Sequence, residues 1–136
     1  MRTEARKILA AFGLAVLSAA PLPTQTIDLA VSIESSRKVA FRETVAISVT
    51  VKNEGTASSP EALCELVVRN ARPPRQVLKR LEKKIRPLEP GDSFTFTSPV
   101  KPGLGTYDVC ATVDPKNKIP EEDKTDNKAC LTIIGK

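Results

Sequence analysis

From Thr26 onward, apolar residues recur at every second position, which is the period of strands with one face buried. In "VAISVTVK", Val45, Ile47, Val49 and Val51 share one face, while Ala46, Ser48, Thr50 and Lys52 share the other. "IDLAVSI" turns Leu29, Val31 and Ile33 inward, and "ALCELVVR" does the same with Ala62, Cys64, Leu66 and Val68. "SFTFTSPV" offers Phe94 and Phe96, "TYDVCATVD" offers Tyr107, Val109, Ala111 and Val113, and "KACLTIIG" offers Ala129, Leu131 and Ile133. Turn-forming clusters separate the runs: "NEGTASSP", "NARPP", "LEPGD" and "KPGLG". One segment, "QVLKRLEKKIRPL", fits two periods: Leu78, Leu81 and Ile85 make a helical stripe, whereas Leu81, Lys83 and Ile85 alternate as in a strand. Its place between two strand runs favours a twisted edge strand, where lysines discourage pairing with another sheet. About seven short antiparallel strands with near-regular turns predict an all-β sandwich.

The start of the chain breaks this pattern. "MRTEARK" is basic, and "ILAAFGLAVLSAA", Ile8 to Ala20, is an apolar run of the length of a signal-peptide core, short for a membrane span. Ser18, Ala19 and Ala20 supply small residues for cleavage, after Ala20 or, since Pro21 follows, after Ala19. The expected organisation is a signal-peptide helix over 1–20, a short linker over 21–26 and one sandwich domain over 27–136. An exported protein is expected, secreted, periplasmic or held at the cell envelope, with no stable membrane insertion once the leader is gone. A buried or amphipathic helix over 1–20 is the alternative.

The chain contains no histidine and no tryptophan. Without imidazole there is no serine-type triad, no histidine-held catalytic zinc and no histidine-ligated haem. No enzyme, no catalytic residues and no cofactor are therefore expected. The one dense cluster of oxygen ligands is "VDPKNKIPEEDKTDNKACLTI", with Asp114, Asn117, Glu121, Glu122, Asp123, Asp126 and Asn127. A calcium site needs about six to eight converging oxygens, but this loop lacks EF-hand spacing and interleaves Lys116, Lys118, Lys124 and Lys128 among its acids. The reading adopted is a hairpin tied by Asx side chains, with no metal assigned.

Three cysteines in an exported chain leave one odd thiol. The faces above bury Cys64 and turn Cys110 and Cys130 outward. In a hairpin centred near Pro120, paired positions sum to 240, as 110 and 130 do. A cross-strand Cys110–Cys130 disulfide is therefore expected, with Cys64 acting as a small buried hydrophobe. "RNARPPRQVLKRLEKKIR" carries Arg69, Arg72, Arg75, Lys79, Arg80, Lys83, Lys84 and Arg86 against Glu82 alone. Such a run is a candidate polyanion-binding patch; the competing reading is a solvated edge that resists aggregation. Sequence-specific nucleic-acid binding is not expected, because no aromatics interleave with the charges.

Three stretches resemble one family, the bacterial cell-adhesion-related domains called CARDB. "VAISVTVKNEGTASSP" is similar to that family's "VTVKNTGT", and "IRPLEPGDSFTF" to its "LxPGxSxTxxF". "GTYDVCATVDPKNKIPEEDKTDN" resembles its ending, "GxYxVxAxVDxxNxIxExxExNN", and the likeness runs from about Ile27 to Ile134. The resemblance implies an immunoglobulin-like sandwich, related in shape to fibronectin type III, in an extracellular or periplasmic setting. This chain departs from the pattern in its basic run, where the family has a short "DG" turn, and in its three cysteines. The function expected is a non-catalytic binding or structural module of the envelope, a monomer contacting an envelope protein or anionic glycan. The alternative is a periplasmic accessory or chaperone-like subunit binding a partner by edge-strand pairing.

Overall fold

A computed structural model describes residues 25–121 and 123–136. The leader expected over 1–20, and residues 21–24 of the linker, lie outside the described residues. Eight strands follow one another: β1 (Leu29–Glu34), β2 (Lys38–Val39), β3 (Val45–Asn53), β4 (Ala62–Asn70), β5 (Val77–Ile85), β6 (Ser93–Val100), β7 (Gly105–Val113) and β8 (Lys128–Gly135). They form a three-stranded sheet, β1-β3-β6, and a five-stranded sheet, β2-β8-β7-β4-β5. The strand beyond the seven expected is β2, two residues long and paired parallel to β8; every other pair is antiparallel.

The alternating faces meet between the sheets. Ile47, Val49 and Val51 from β3 pack with Cys64, Leu66 and Val68 from β4, Val109, Ala111 and Val113 from β7, and Ile133 from β8, all fully buried. Burying side chains of this size contributes about 1.5–3 kcal/mol each, which drives the layers together. Ile33, Phe94 and Ala129 sit at the rim of the core, half-buried. Val67, on the opposite face of β4, is also buried.

The ambiguous segment is strand β5, paired with β4 from Ala62–Ile85 to Arg69–Val77 and free on its other side. Leu78 is the extra residue of a bulge, since Val68 faces Lys79 while Arg69 faces Val77. Only Leu81 and Ile85 of this strand turn into the core, so its sequence could carry a helix-like spacing without being a helix.

Register sorts the connections into two ends. Asn70 pairs with Tyr107, Gly105 with Gly135, Lys38 with Ile134 and Val45 with Val100. The turns at 40–44 and 71–76 and the connection at 101–104 therefore gather at one end, the Phe41 end. Residues 25–28, 54–61, 86–92 and 114–127 gather at the other, the Asp126 end. There Val31 N donates to Asp126 O at 3.1 Å, joining the first strand to the β7–β8 loop. Buried Asn53 closes the β3–β4 turn: its Nδ2 donates to Ala57 O (2.8 Å) and Leu88 O (3.0 Å), and its Oδ1 accepts from Gly55 N (3.0 Å). Gly55 is required there, because a Cβ would collide with the Thr26 carbonyl oxygen.

Candidate functional site

The basic run is not one surface. Strand alternation places Arg80 and Lys84 on the outer face of the five-stranded sheet and Lys79 and Lys83 on the other side of β5. Three of its cations meet acids that the register brings to them. Arg80 Nη1 lies 2.6 Å from Glu65 Oε2, Arg75 Nη2 is 3.0 Å from Asp108 Oδ2, and Arg86 Nη1 is 3.0 Å from Asp92 Oδ2. These pairs are solvent-exposed, so each is worth little stability, but each cancels a charge a polyanion would need. Lys79 Nζ donates to Pro99 O at 2.9 Å, bridging β5 to the other sheet. Arg69, Arg72, Lys83 and Lys84 have no carboxylate partner among the described residues. Lys84 gains new neighbours instead: with Lys116 and Lys118 it lines a cavity of about 190 Å³ that also includes Ala62, Leu63 and Ile119 and two acids, Glu61 and the loop-tying Asp114.

Cys110 and Cys130 are directly paired positions of β7 and β8, joined by a disulfide on the outer face. Cys64 is a free thiol within the core, where burial, reinforced by the Glu65 charge, pushes its pKa up to about 12. A thiol that holds its proton so firmly is not a nucleophile at neutral pH.

The 114–127 loop ties itself with its own side chains. Asp114, whose backbone is left-handed (φ 52°), accepts from Lys118 N and Ile119 N through its two oxygens, each at 2.9 Å. Asp123 accepts from the hydroxyl and amide of Thr125, and the hydroxyl bond foremost holds its pKa below the usual carboxylate range. Lys124 Nζ donates to Asn117 Oδ1 and Ile119 O. Glu121 accepts from Leu29 N and Asn127 Nδ2, both at 2.8 Å, so the loop also clamps the first strand.

One member of the loop does something else. Asp126 meets Asp28 and Glu54, and one carboxylate oxygen of each lies within 4.8 Å of the other two. Asp28 Oδ1 and Asp126 Oδ1 are buried and accept no hydrogen bond, as is Asn127 Oδ1 beside them in sequence. Burial, then the Asp126 charge, raises the Asp28 pKa from 3.8 to about 6; burial, then Asp123, raises that of Asp126. Of the three, only Asp126 belongs to the oxygen-rich loop visible in the sequence; Asp28 and Glu54 lie in two other segments, so no single stretch of chain displays the group. The available signal was the β1–β3 register, which pairs Leu29 with Asn53 and so sets Asp28 opposite Glu54.

Among solved structures, the chain is similar to the CARDB domain of the PF1109 protein from Pyrococcus furiosus, crystallised in complex with di-metal ions. The TM-score is 0.69 at 22% identity, covering 83% of this chain and 96% of that one. A domain of a proposed cell surface protein from Methanosarcina acetivorans matches with TM-score 0.61 at 18% identity, over 82% and 93% of the two chains. A β-glucosidase from Listeria innocua matches at TM-score 0.51 and 10% identity over 80% of this chain, but only 16% of the glucosidase. At these identities the likenesses establish the fold alone. No curated protein matches the chain. The CARDB family model matches residues 26–130, across both sheets and the 114–127 loop, and the chain belongs to the CARDB family.

Proposed function

We propose that this chain is a non-catalytic, exported binding module of the cell envelope that contacts an anionic glycan or acidic envelope protein by charge. The carrying observation is that Lys84, Lys116 and Lys118 line one cavity at the end of the free edge strand β5, and that neither Lys84 nor Lys83, on the other side of that strand, has a carboxylate partner among the described residues. Long side chains on an open edge supply dispersed attraction and no desolvated pocket, so no single residue dominates. The basic–apolar–small order of residues 1–20 supports export, and the description of the Methanosarcina acetivorans neighbour as a proposed cell surface protein accords with it. Retention on immobilised anionic envelope polymer tests the reading. Binding is expected to weaken steeply between about 0.1 and 1 M salt, as the Debye length falls from about 10 to 3 Å. Reversing Lys83, Lys84 and Lys116 to Glu should abolish it with the Tm almost unchanged. Retention indifferent to salt or to these changes would leave β5 a solvated edge. A partner captured through edge-strand pairing would instead be lost when backbone N–H groups of β5 are blocked by proline.

A second reading rests on the unpartnered, buried oxygens of Asp28 and Asp126. Three carboxylates from separate segments, with no soft ligand among them, suit a hard divalent cation such as calcium or magnesium. Asp28, Glu54 and Asp126 would hold it, and its charge would relieve their mutual repulsion. The di-metal complex of the Pyrococcus furiosus domain lends this support. Calorimetric titration of the metal-free chain with calcium tests it; heat that Asp28→Asn leaves unaltered would place any cation elsewhere.

A further inference from the structure

All five exposed large apolar side chains among the described residues lie at one end of the sandwich. They are Phe41 (47% exposed), Val77 (44%), Leu78 (48%), Leu104 (66%) and Ile134 (37%). Single exposed apolar residues need no explanation; five gathered at one end do. They arrive by separate routes. Phe41 is in the β2–β3 turn, Val77 and Leu78 open β5 at its bulge, Leu104 lies between β6 and β7, and Ile134 is near the end of β8. The bulge sets Leu78 outside the regular alternation, at a sheet edge where bulges re-aim side chains.

The same end is basic. Arg37, Lys38, Arg42, Arg72, Lys101 and Lys136 belong to its turns and strand ends, against the carboxylates of Glu34 and Glu43. Each apolar group has a cation close in sequence or space. The Arg42 guanidinium lies 5.0 Å from the centre of the Phe41 ring, and Arg72 lines a shallow hollow with Pro73, Pro74 and Leu104. The opposite end carries Asp28, Glu54, Glu61, Glu89, Asp92, Asp114, Glu121, Asp123 and Asp126 against Arg86, Lys116, Lys118 and Lys124, so the domain is polarised along its length.

We infer that the Phe41 end docks on an anionic lipid bilayer surface, its apolar tips entering the headgroup boundary and its cations lying at the phosphates. A soluble polyanion would use the cations and leave the apolar side chains in water. A bilayer surface uses both, through apolar burial plus attraction of about 1 kcal/mol per basic residue. This goes beyond the polymer contact assigned to the β5 edge and involves different side chains.

The full chain is suitable for the test, with reporters that read the end itself, because residues 8–20 would enter a bilayer on their own account. Tryptophan is introduced at Leu104 and, in a second chain, at Lys116 on the opposite end; there is no native tryptophan. With vesicles containing phosphatidylglycerol, Leu104→Trp emission should shift to the blue and be quenched by brominated acyl chains, while Lys116→Trp stays unchanged. Adding Phe41→Ser and Leu78→Ser to the Leu104→Trp chain should raise the vesicle concentration for half the shift about tenfold or more, with the Tm unaltered since both residues are exposed. The inference is overturned if Leu104→Trp does not shift, if Lys116→Trp shifts equally, or if the two serine changes have no effect. It is likewise overturned if dextran sulfate reproduces the shift, which would assign the end to a soluble polyanion.

Discussion

Asp126→Asn asks whether three carboxylates destabilise the fold until something positive joins them. The substitution keeps the side chain's shape and removes one charge. Asp28 has its pKa raised from 3.8 to about 6, by burial first and the Asp126 charge second. A carboxyl that binds its proton more tightly when folded makes the fold most stable when protonated. That stability is complete below about pH 4 and is lost as pH climbs through about 6. A shift of this size corresponds to about 3 kcal/mol, and solvent screening of the half-buried Asp28 reduces it to about 1–2 kcal/mol. Asp126→Asn removes the charge contribution and leaves the desolvation. In chelator, the variant should therefore be more stable than the parent by about 0.5–1 kcal/mol at pH 7.5, a Tm rise of about 2–5 °C, with no difference at pH 3.5.

The assay is a series of thermal melts from pH 3.5 to 8, in chelator and then in calcium. If the cluster binds calcium, the parent gains about 2.7 kcal/mol at 100 times the dissociation constant, enough to reverse the order of the two proteins. A parent whose Tm is flat between pH 4 and 7, or a variant less stable than the parent in chelator at neutral pH, would refute the repulsion argument. If the order in calcium is the same as in chelator, the cation reading fails and the repulsion argument stands.

Replacing Cys110 and Cys130 together with Ser should cost about 2–3 kcal/mol, read by urea melts, because the bond closes a loop of 20 residues of sequence separation. Cys64 should resist iodoacetamide at pH 8 in the native protein and react once urea unfolds it, since burial has pushed its pKa up to about 12; rapid native labelling followed by mass spectrometry would contradict its placement. Asn53→Ala should cost about 1–3 kcal/mol, because the part-buried Ala57 carbonyl and the Gly55 amide lose a partner while the buried Leu88 carbonyl keeps only its bonds from Ser59; a loss near zero would mean that water replaces the amide.

The parts of this molecule legible from sequence are those set by a repeating local rule. Val45, Ile47, Val49 and Val51 alternate because one face of β3 meets the other sheet, and the same rule, carried across a hairpin, made Cys110 and Cys130 partners. Where the rule is short or double-valued, legibility fails. Lys38 and Val39 are too few to show a period, so parallel strand β2 left no mark, and Leu78, Leu81 and Ile85 could serve a helix until β4 supplied a neighbour. The basic run read as one block because charge was counted along the chain. Alternation and register divide it, sending Arg80 to Glu65 and leaving Lys84 beside Lys116 and Lys118.

The two sites of greatest chemical interest share a cause for having been hidden. Asp28, Glu54 and Asp126 come from the chain before β1, the turn after β3 and the β7–β8 loop, so they meet only after both sheets close. Phe41 and Leu104 likewise come from two separate connections, and Leu78 from the bulged start of β5. In a sandwich, strands alternate direction, so every second connection arrives at the same end whatever its distance in sequence. A carboxylate-rich end and an apolar, basic end can therefore be built from residues unremarkable in their own segments. The long axis of the domain becomes a charge axis that no local window displays. If the basic end lies on an anionic surface, the Asp126 end faces away from it, where Asp28, Glu54 and Asp126 would meet free cations with no lipid phosphate competing for them.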